Sequence, residues 1–382
     1  MRIALDGKHA LAVRAYRRLG DVRILATPEI TRSALRDVDA VVVRSETRVD
    51  AALLEGTSVG FVGTATIGTD HVDTEYLRRR GIAFAAAPGS NANSVAEYVA
   101  AALCVLSRRL GADLSGSTVG VVGVGNVGSK VVRVAEAFGM SVLLNDPPLA
   151  RATGDGRFLE LDELMGCDII TLHVPLTLSG PDATHRLFDA RRIGQMKHGG
   201  VLINTARGAV VETCALVEAL RGGHLAGAVI DVWEGEPSID TRLLEMAAIA
   251  TPHIAGYSLD GKVRAARMVF EALCRFAGRE VPWEGPEDLP PPACRELSLA
   301  LDRGMPARSV CEAVRACYDI EADDALLRGQ CAEQSESVAD RFRRLRASYP
   351  PRREFFNTRV MLTPEDPAVR RSLLLLGFGS AR

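Results

Sequence analysis

The stretch "TVGVVGVGNVGSKVVRVAEAFG", residues 118–139, decides how this chain folds. Its first five residues are all β-branched or glycine, and four of them lack a polar side chain, which suits a strand buried on both faces. "GVGNVG" (123–128) follows at once, and "SKVVRVAEAFG" then carries apolar residues at helical spacing to a closing glycine. Glycine patterns of the form G-x-G-x-x-G arise by chance. Between a strand and a helix the pattern has a physical reason: Gly123 permits the tight turn, Gly125 lets backbone approach a pyrophosphate, and Gly128 lets helix and strand pack closely. The phosphates would rest at the positive end of the helix that begins near Asn126 and Val127. The next apolar run, "SVLLND", ends on Asp146. A carboxylate there accepts from ribose hydroxyls and repels a 2′-phosphate, so the expected cofactor is NAD rather than NADP.

Outward from this unit the same alternation continues. "DIITLHV", "GGVLINT", "GAVIDV" and "AIATPHI" read as further strands of the same parallel sheet. Upstream, "RIALD", "VRILAT", "AVVVRS", "VGFVGTA" and "IAFAAA" read as buried strands. "ALAVRAYRRLG", "TRSALRDV", "VDAALLEG" and "DTEYLRRRG" read as the helices between them. The turn-rich "PGSNANS" (88–94) precedes a long helix and marks a crossing between domains. "GYSLDGKVRAARMVFEALCRFAG" is a helix able to return to the first domain, and the proline-rich "VPWEGPEDLPPPA" is a linker. Beyond it lie a strand "RELSLAL", helices "ARSVCEAVRACYDI" and "SVADRFRRLRASY", a strand "TRVMLT" and a helix "DPAVRRSLLLLGF". So small a unit is marginal alone, and docking on another subunit would supply burial. The expected fold is α/β: two Rossmann/flavodoxin-like doubly wound parallel-sheet domains plus a small C-terminal α+β dimerisation domain. The boundaries are 1–93 with 255–285, 94–254, and 286–382.

Composition excludes several classes. With 382 residues and a formal net charge of −2, nothing calls for nucleic acid or an anionic membrane. Lysine occurs only at 8, 130, 197 and 262, so arginine carries nearly all positive charge, and arginine clusters are partly a compositional habit. Eight scattered cysteines, without C-x-x-C pairs, read as reduced packed thiols rather than a metal site. The N-terminus lacks a signal-peptide core, and no run is long and apolar enough to span a membrane. A soluble, cytoplasmic protein is expected.

Oxidising a secondary alcohol needs a base for the hydroxyl proton, a cation for the substrate carboxylate, and a group that keeps the base poised. Three segments supply these types. "INTARGAVVE" (203–212) carries Arg207, a fixed fork suited to a carboxylate. "DVWEGEP" (231–237) carries Asp231 and Glu236, and "TPHIAGY" (251–257) carries His253. Each follows an apolar strand, and strand C-termini of a doubly wound sheet converge on one crevice. A carboxylate beside His253 would favour its imidazolium form. Taken singly, each has a structural alternative: a core histidine, a surface ion pair, a turn acid.

The order "GVGNVG", Asp146, "LHVPLT", "INTARGAVV", "DVWEGEP", "TPHIAG" resembles the NAD-dependent D-2-hydroxyacid dehydrogenases. The resemblance implies Arg207 as carboxylate anchor, Glu236 as partner of the histidine, and His253 as acid/base. A branch handling a small phosphorylated 2-hydroxy acid is suggested by "VVVRSETRV" (41–49), "FVGTATIGTDHVD" (61–73), "AAPGSNANSVAEYV" (86–99), "NDPP" (145–148), "TPHIAGYSLDGK" (251–262) and "YDIEADDALLR" (318–328). By that resemblance Ser45, Thr66 and Tyr257 contact substrate, and the tail makes a homodimer. Cofactor contacts would be Asn126, Val127, Asp146, Val174, Thr205, Ala206, Arg207, Asp231 and Gly256. Glu212 stands where an aspartate is more usual, and Val174 offers no side-chain donor. Arg44 is one candidate for the substrate phosphate. "RFRRLR" (341–346) and "RR" (352–353) read first as a solvated face, with Arg346 the residue to single out should the tail contribute. Two alternatives stay open: another D-2-hydroxyacid dehydrogenase, such as one for 3-phosphoglycerate, and an NAD-sensing interaction protein on the same fold.

Overall fold

The computed structural model describes residues 1–382 except 8–11, 112–113, 287–288, 303–304, 330–335, 351 and 381–382. Cys331, the first two residues of the helix expected over 10–20, and Glu287 and Asp288 of the linker lie outside the described residues. The chain forms two compact units, Met1–Asn91 with Ser258–Pro290, and Ala92–Tyr257 with Pro291–Arg382.

The first unit runs β1 (Arg2–Asp6), α1 (Val13–Arg17), β2 (Asp21–Leu25), β3 (Ala40–Val43), α2 (Ala51–Leu54), β4 (Phe61–Thr64), α3 (Thr74–Arg79) and β5 (Ala83–Ala85). Its parallel sheet has the order β2-β1-β3-β4-β5. The central strands β3 and β4 are buried along their whole length, as their unbroken apolar runs require. Three expectations change. "VRILAT" and "IAFAAA" form the two edge strands, exposed or half-buried instead of buried, because no strand covers their outer sides. "TRSALRDV" makes a series of turns with bonds from Leu35 N to Arg32 O and from Val38 N to Leu35 O, since the chain must enter β3 two residues later.

The second unit runs α4 (Ala92–Leu110), β6 (Thr118–Val122), α5 (Gly128–Ala137), β7 (Ser141–Asn145), α6 (Pro147–Thr153), β8 (Ile169–Leu172), α7 (Ala190–Gln195), β9 (Gly200–Asn204), α8 (Thr213–Arg221), β10 (Leu225–Ile230), α9 (Thr241–Met246) and β11 (Ile249–Ala250). The sheet order is β11-β10-β9-β8-β6-β7, all parallel, and a single bridge from Leu144 to Phe158 continues it past β7. The order reverses beside β6, which places the glycine-rich turn at a topological switch point. The doubly wound expectation holds.

Ser258 caps α10 (Leu259–Phe276) by accepting from Gly261 N at 2.9 Å, and α10 returns to the first unit. Its Val269, Phe270 and Leu273 share a core with Ile3, Leu5 and Phe61. The tail then forms β12 (Glu296–Ala300), α11 (Pro306–Cys317), α12 (Ile320–Arg328), α13 (Val338–Ala347), β13 (Arg359–Thr363), α14 (Pro367–Leu375) and β14 (Gly379–Ser380). Each tail element expected from sequence forms; α12 and β14 are additions. The tail also finds burial against its own chain. Val310, Val314, Val369 and Leu373 join one apolar core with Tyr98, Leu103, Val131 and Val134 of α4 and α5. Arg352 and Glu97, with side chains 6% and 7% exposed, form an ion pair at 2.8 Å between tail and α4. Removing one partner of such a buried pair costs about 3–5 kcal/mol.

Candidate active site

The glycine motif has the geometry its spacing predicts. Gly123 sits at φ +85°, and a Cβ there would meet the His173 carbonyl oxygen at 2.8 Å. A Cβ on Gly128 would meet the Gly123 oxygen at 1.9 Å, so only glycine lets α5 close on β6. A Cβ on Gly125 would meet nothing within 4 Å, which leaves the backbone there open to a ligand. Asn126 is exposed, and Val127 is the N-cap of α5. Asp146, at the end of β7, accepts from Val124 N at 2.8 Å and Leu149 N at 3.0 Å. Those bonds tie its carboxylate to the glycine turn and to the start of α6, with lone pairs left for ribose hydroxyls. The open turn and fixed carboxylate together fit an NAD pyrophosphate and ribose. Bound there, NAD supplies the hydride acceptor.

The next strand ends complete this rim. Val174 is half-buried after β8. Beside it His173 lies between Thr171 Oγ1 (2.9 Å, to Nε2) and Thr205 Oγ1 (3.2 Å, to Nδ1), and burial pushes its pKa down to about 3. This neutral imidazole lies within "LHVPLT", where nothing in the sequence marks it, since a half-buried histidine carries no periodic signal. After β9, Asn204 accepts from Ala206 N and donates to the Arg207 carbonyl, both at 3.0 Å, shaping the loop that presents Arg207. Ala206 is buried, and Arg207 is half-buried with Nη1 on the Ala206 carbonyl at 2.8 Å.

Glu236 and His253 are brought together. His253 Nδ1 stands 2.6 Å from Glu236 Oε1, and the two side chains are 26% and 25% exposed. This leaves Nε2 as the nitrogen that can exchange a proton with a substrate hydroxyl. Glu236 Oε2 also accepts from Trp233 N at 3.3 Å. Burial pushes the Glu236 carboxyl up. The hydrogen bond and charge of His253, then the Arg346 charge and the Trp233 N–H, outweigh it and hold the group below the ordinary glutamate range.

His253 itself sits at φ +57°, a conformation that side-chain-bearing residues rarely adopt. Asp231 explains how it is held there. The carboxylate is 1% exposed; Oδ1 accepts from Ile254 N at 2.8 Å and Thr251 Oγ1 at 2.7 Å, and Oδ2 from Ala255 N at 3.0 Å. The Tyr98 hydroxyl donates in turn to Thr251 Oγ1 at 2.7 Å, and Trp233 Nε1 to the Thr251 carbonyl at 2.9 Å. Burial pushes the Asp231 pKa up, opposed by His253, Thr251 and the two N–H donors. The side chain of Asp231 thus serves the histidine loop. Gly256 and Tyr257 continue that loop half-buried.

In the first unit, Arg44 and Ser45 follow β3 and Thr66 follows β4, both at strand C-termini. Ser45 is exposed; Thr66 Oγ1 bonds Thr64 Oγ1 at 2.7 Å and the Gly68 carbonyl at 2.9 Å. Arg346, on α13, is half-buried with its Nε buried and without a hydrogen-bond partner among the described residues.

A dinucleotide turn, an arginine loop and a glutamate–histidine pair, all at strand ends of one parallel sheet, define an NAD-dependent dehydrogenase of 2-hydroxy acids. Residues 90–255 match the family model for the D-isomer specific 2-hydroxyacid dehydrogenase NAD binding domain, and 289–377 match a domain of unknown function. Among solved structures, the TT0316 protein from Thermus thermophilus is similar at 32% identity and TM-score 0.62, covering 75% of this chain and 100% of that one. A D-lactate dehydrogenase from Aquifex aeolicus, complexed with NAD and lactic acid, is similar at 27% identity and TM-score 0.61, over 73% and 96%. An erythronate-4-phosphate dehydrogenase of Salinibacter ruber is 48% identical over 93% of this chain and 92% of its own length, and one of Azotobacter vinelandii is 45% identical over 99% of both. The chain belongs to the erythronate-4-phosphate dehydrogenase family, within the D-2-hydroxyacid dehydrogenases.

Proposed function

We propose that the chain oxidises 4-phospho-D-erythronate to 2-oxo-3-hydroxy-4-phosphobutanoate with NAD as acceptor, a step toward pyridoxal 5′-phosphate (vitamin B6). The observation that carries the chemistry is the 2.6 Å contact between His253 Nδ1 and Glu236. His253 Nε2 takes the hydroxyl proton, and the ionised Glu236 stabilises the imidazolium that forms. Arg207 anchors the substrate carboxylate through its fork. Ser45, Thr66 and Tyr257 are the further substrate contacts. Asn126, Val127, Asp146, Val174, Thr205, Ala206, Arg207 and Gly256 line the cofactor, and Asp231 serves it through the loop it fixes. The first unit is the substrate domain and the sheet of the second the NAD domain.

The test is nicotinamide reduction with 4-phospho-D-erythronate beside D-3-phosphoglycerate and D-lactate. The first acid should be turned over with the highest kcat/KM. Preference for another acid would overturn the substrate assignment, and no turnover on any would favour an NAD-sensing protein.

For the phosphate, Arg44 and Arg346 are the candidates. Arg346 is favoured by its partnerless buried Nε and by its influence on Glu236. Arg346→Ala should raise KM for the phosphorylated acid by about 10-fold, the loss of one charge-assisted contact. KM for an unphosphorylated 2-hydroxy acid should change far less; equal effects on both would remove the assignment.

We further infer a homodimer through the tail. One face of β13 sends Val360 and Leu362 into the core, while the other leaves Met361 39% exposed, with Phe356 51% exposed nearby in sequence. A cytoplasmic location is part of the same proposal. No helix among the described residues is long and apolar enough to cross a membrane.

A further inference from the structure

The histidine loop is gripped from a second side by the tail of its own chain. Arg352 is 9% exposed; beyond its pair with Glu97, Nη2 donates to the carbonyls of Ser94 at 3.2 Å and Ala255 at 3.4 Å. The other Glu97 oxygen accepts from Phe355 N at 2.7 Å. Glu354, 1% exposed, accepts from Asn93 Nδ2 at 3.0 Å and Ser94 Oγ at 3.1 Å. Asp231 therefore holds the loop's N–H groups while Arg352 holds the carbonyl of Ala255, two residues before Tyr257.

Three residues upstream of Arg352, the ring of Tyr349 meets the ring of Tyr257 edge to face, with centroids 5.9 Å apart and planes at 80°. The Tyr349 hydroxyl donates to Asp323 Oδ2 at 2.8 Å, and Tyr318 donates to the same oxygen at 3.0 Å. Tyr318 is in turn covered by the Arg352 guanidinium, 4.3 Å from its ring centroid. Tyr349 is thus fixed at its hydroxyl end by a buried network and offers its ring to Tyr257. Burial pushes Asp323 up to about 6, with the two tyrosine hydroxyls acting against it.

We propose that Tyr349 is a specificity-determining positioning residue, acting through the ring of Tyr257 so that the C-terminal segment of the same chain shapes the substrate end of the site. The proposal rests on Tyr257 as a substrate contact. Removing an edge-to-face partner should weaken the placement of Tyr257 without touching the His253–Glu236 pair or the glycine turn. Tyr349→Ala should therefore raise KM for 4-phospho-D-erythronate by about 3- to 10-fold, the range of an aromatic pair converted to affinity. The change in kcat should be smaller, and the Kd for NADH, read by fluorescence titration, should stay within twofold. Tyr349→Phe keeps the ring and should stay within twofold in KM. If Tyr349→Ala does not fold, Tyr349→Leu preserves buried volume without an aromatic edge and carries the same expectation.

Tyr257→Ala and the double variant separate the two assignments. The double variant should be no worse in KM than Tyr257→Ala alone. An unchanged KM in Tyr257→Ala removes the substrate role of Tyr257 and the proposal with it. A raised KM there, with Tyr349→Ala equal to Tyr349→Phe, or with kcat and NADH affinity falling in Tyr349→Ala as much as KM rises, overturns the proposal alone and leaves Tyr257 in place.

Discussion

His253→Ala should lower kcat by about 10²- to 10⁴-fold, the usual contribution of a positioned acid/base group, while the Kd for NADH stays within about twofold. The two readouts separate because the cofactor turn and the histidine stand on different strand ends. The turn is built by Gly123, Gly125, Gly128 and Asp146, and none of them bonds His253. The loop fold should survive as well. Asp231 fixes residues 251–255 through backbone N–H groups and Thr251, none of which depends on the imidazole. Alanine at this position keeps the strained φ of +57° without the hydrogen bond, so a small loss of Tm is expected. Turnover within tenfold of the parent would remove the acid/base role.

Glu236→Gln should cost about 10²- to 10³-fold in kcat, because the amide keeps the shape but cannot stabilise an imidazolium by charge. NADH affinity should again be unchanged. The pH behaviour gives a second check. The folded pKa of Glu236 is depressed, so the stability it lends is fully present above the unfolded value of about 4.3. It is lost as pH falls through the lower folded value. Comparing denaturant midpoints of parent and variant between neutral pH and pH 3 should show the gap between them closing as the medium turns acid. A gap that stays constant would mean that Glu236 is not held ionised by His253.

Much of this site is legible in the chain because its parts are local. Gly123 and Gly128 are dictated by a turn and a close packing that involve residues only a few places away. Asp146 is found because a strand of five residues must end there before α6 begins. The strands around Val41 and Leu202 announce themselves by unbroken apolar runs. Where the expectation slipped, the missing information was lateral: "VRILAT" has the composition of a buried strand, but its place at the sheet edge depends on strand order. His173, Tyr98 and Tyr349 carry no sequence signal, and Arg352, expected on a solvated face, is instead buried against Glu97, because its partner lies far along the chain.

The sequence by itself determined the two parallel sheets, the dinucleotide turn and the residue types available for the chemistry, since these follow from periodicity and from backbone angles that only glycine takes easily. The tertiary structure alone decided which groups meet. It paired Glu236 with His253 across 17 positions, turned Asp231 inward to hold the histidine loop, and folded the tail back onto α4 so that Arg352 and Tyr349 reach that loop. Such pairings depend on the order of strands and the burial of charges, and both exist only once the whole chain has packed.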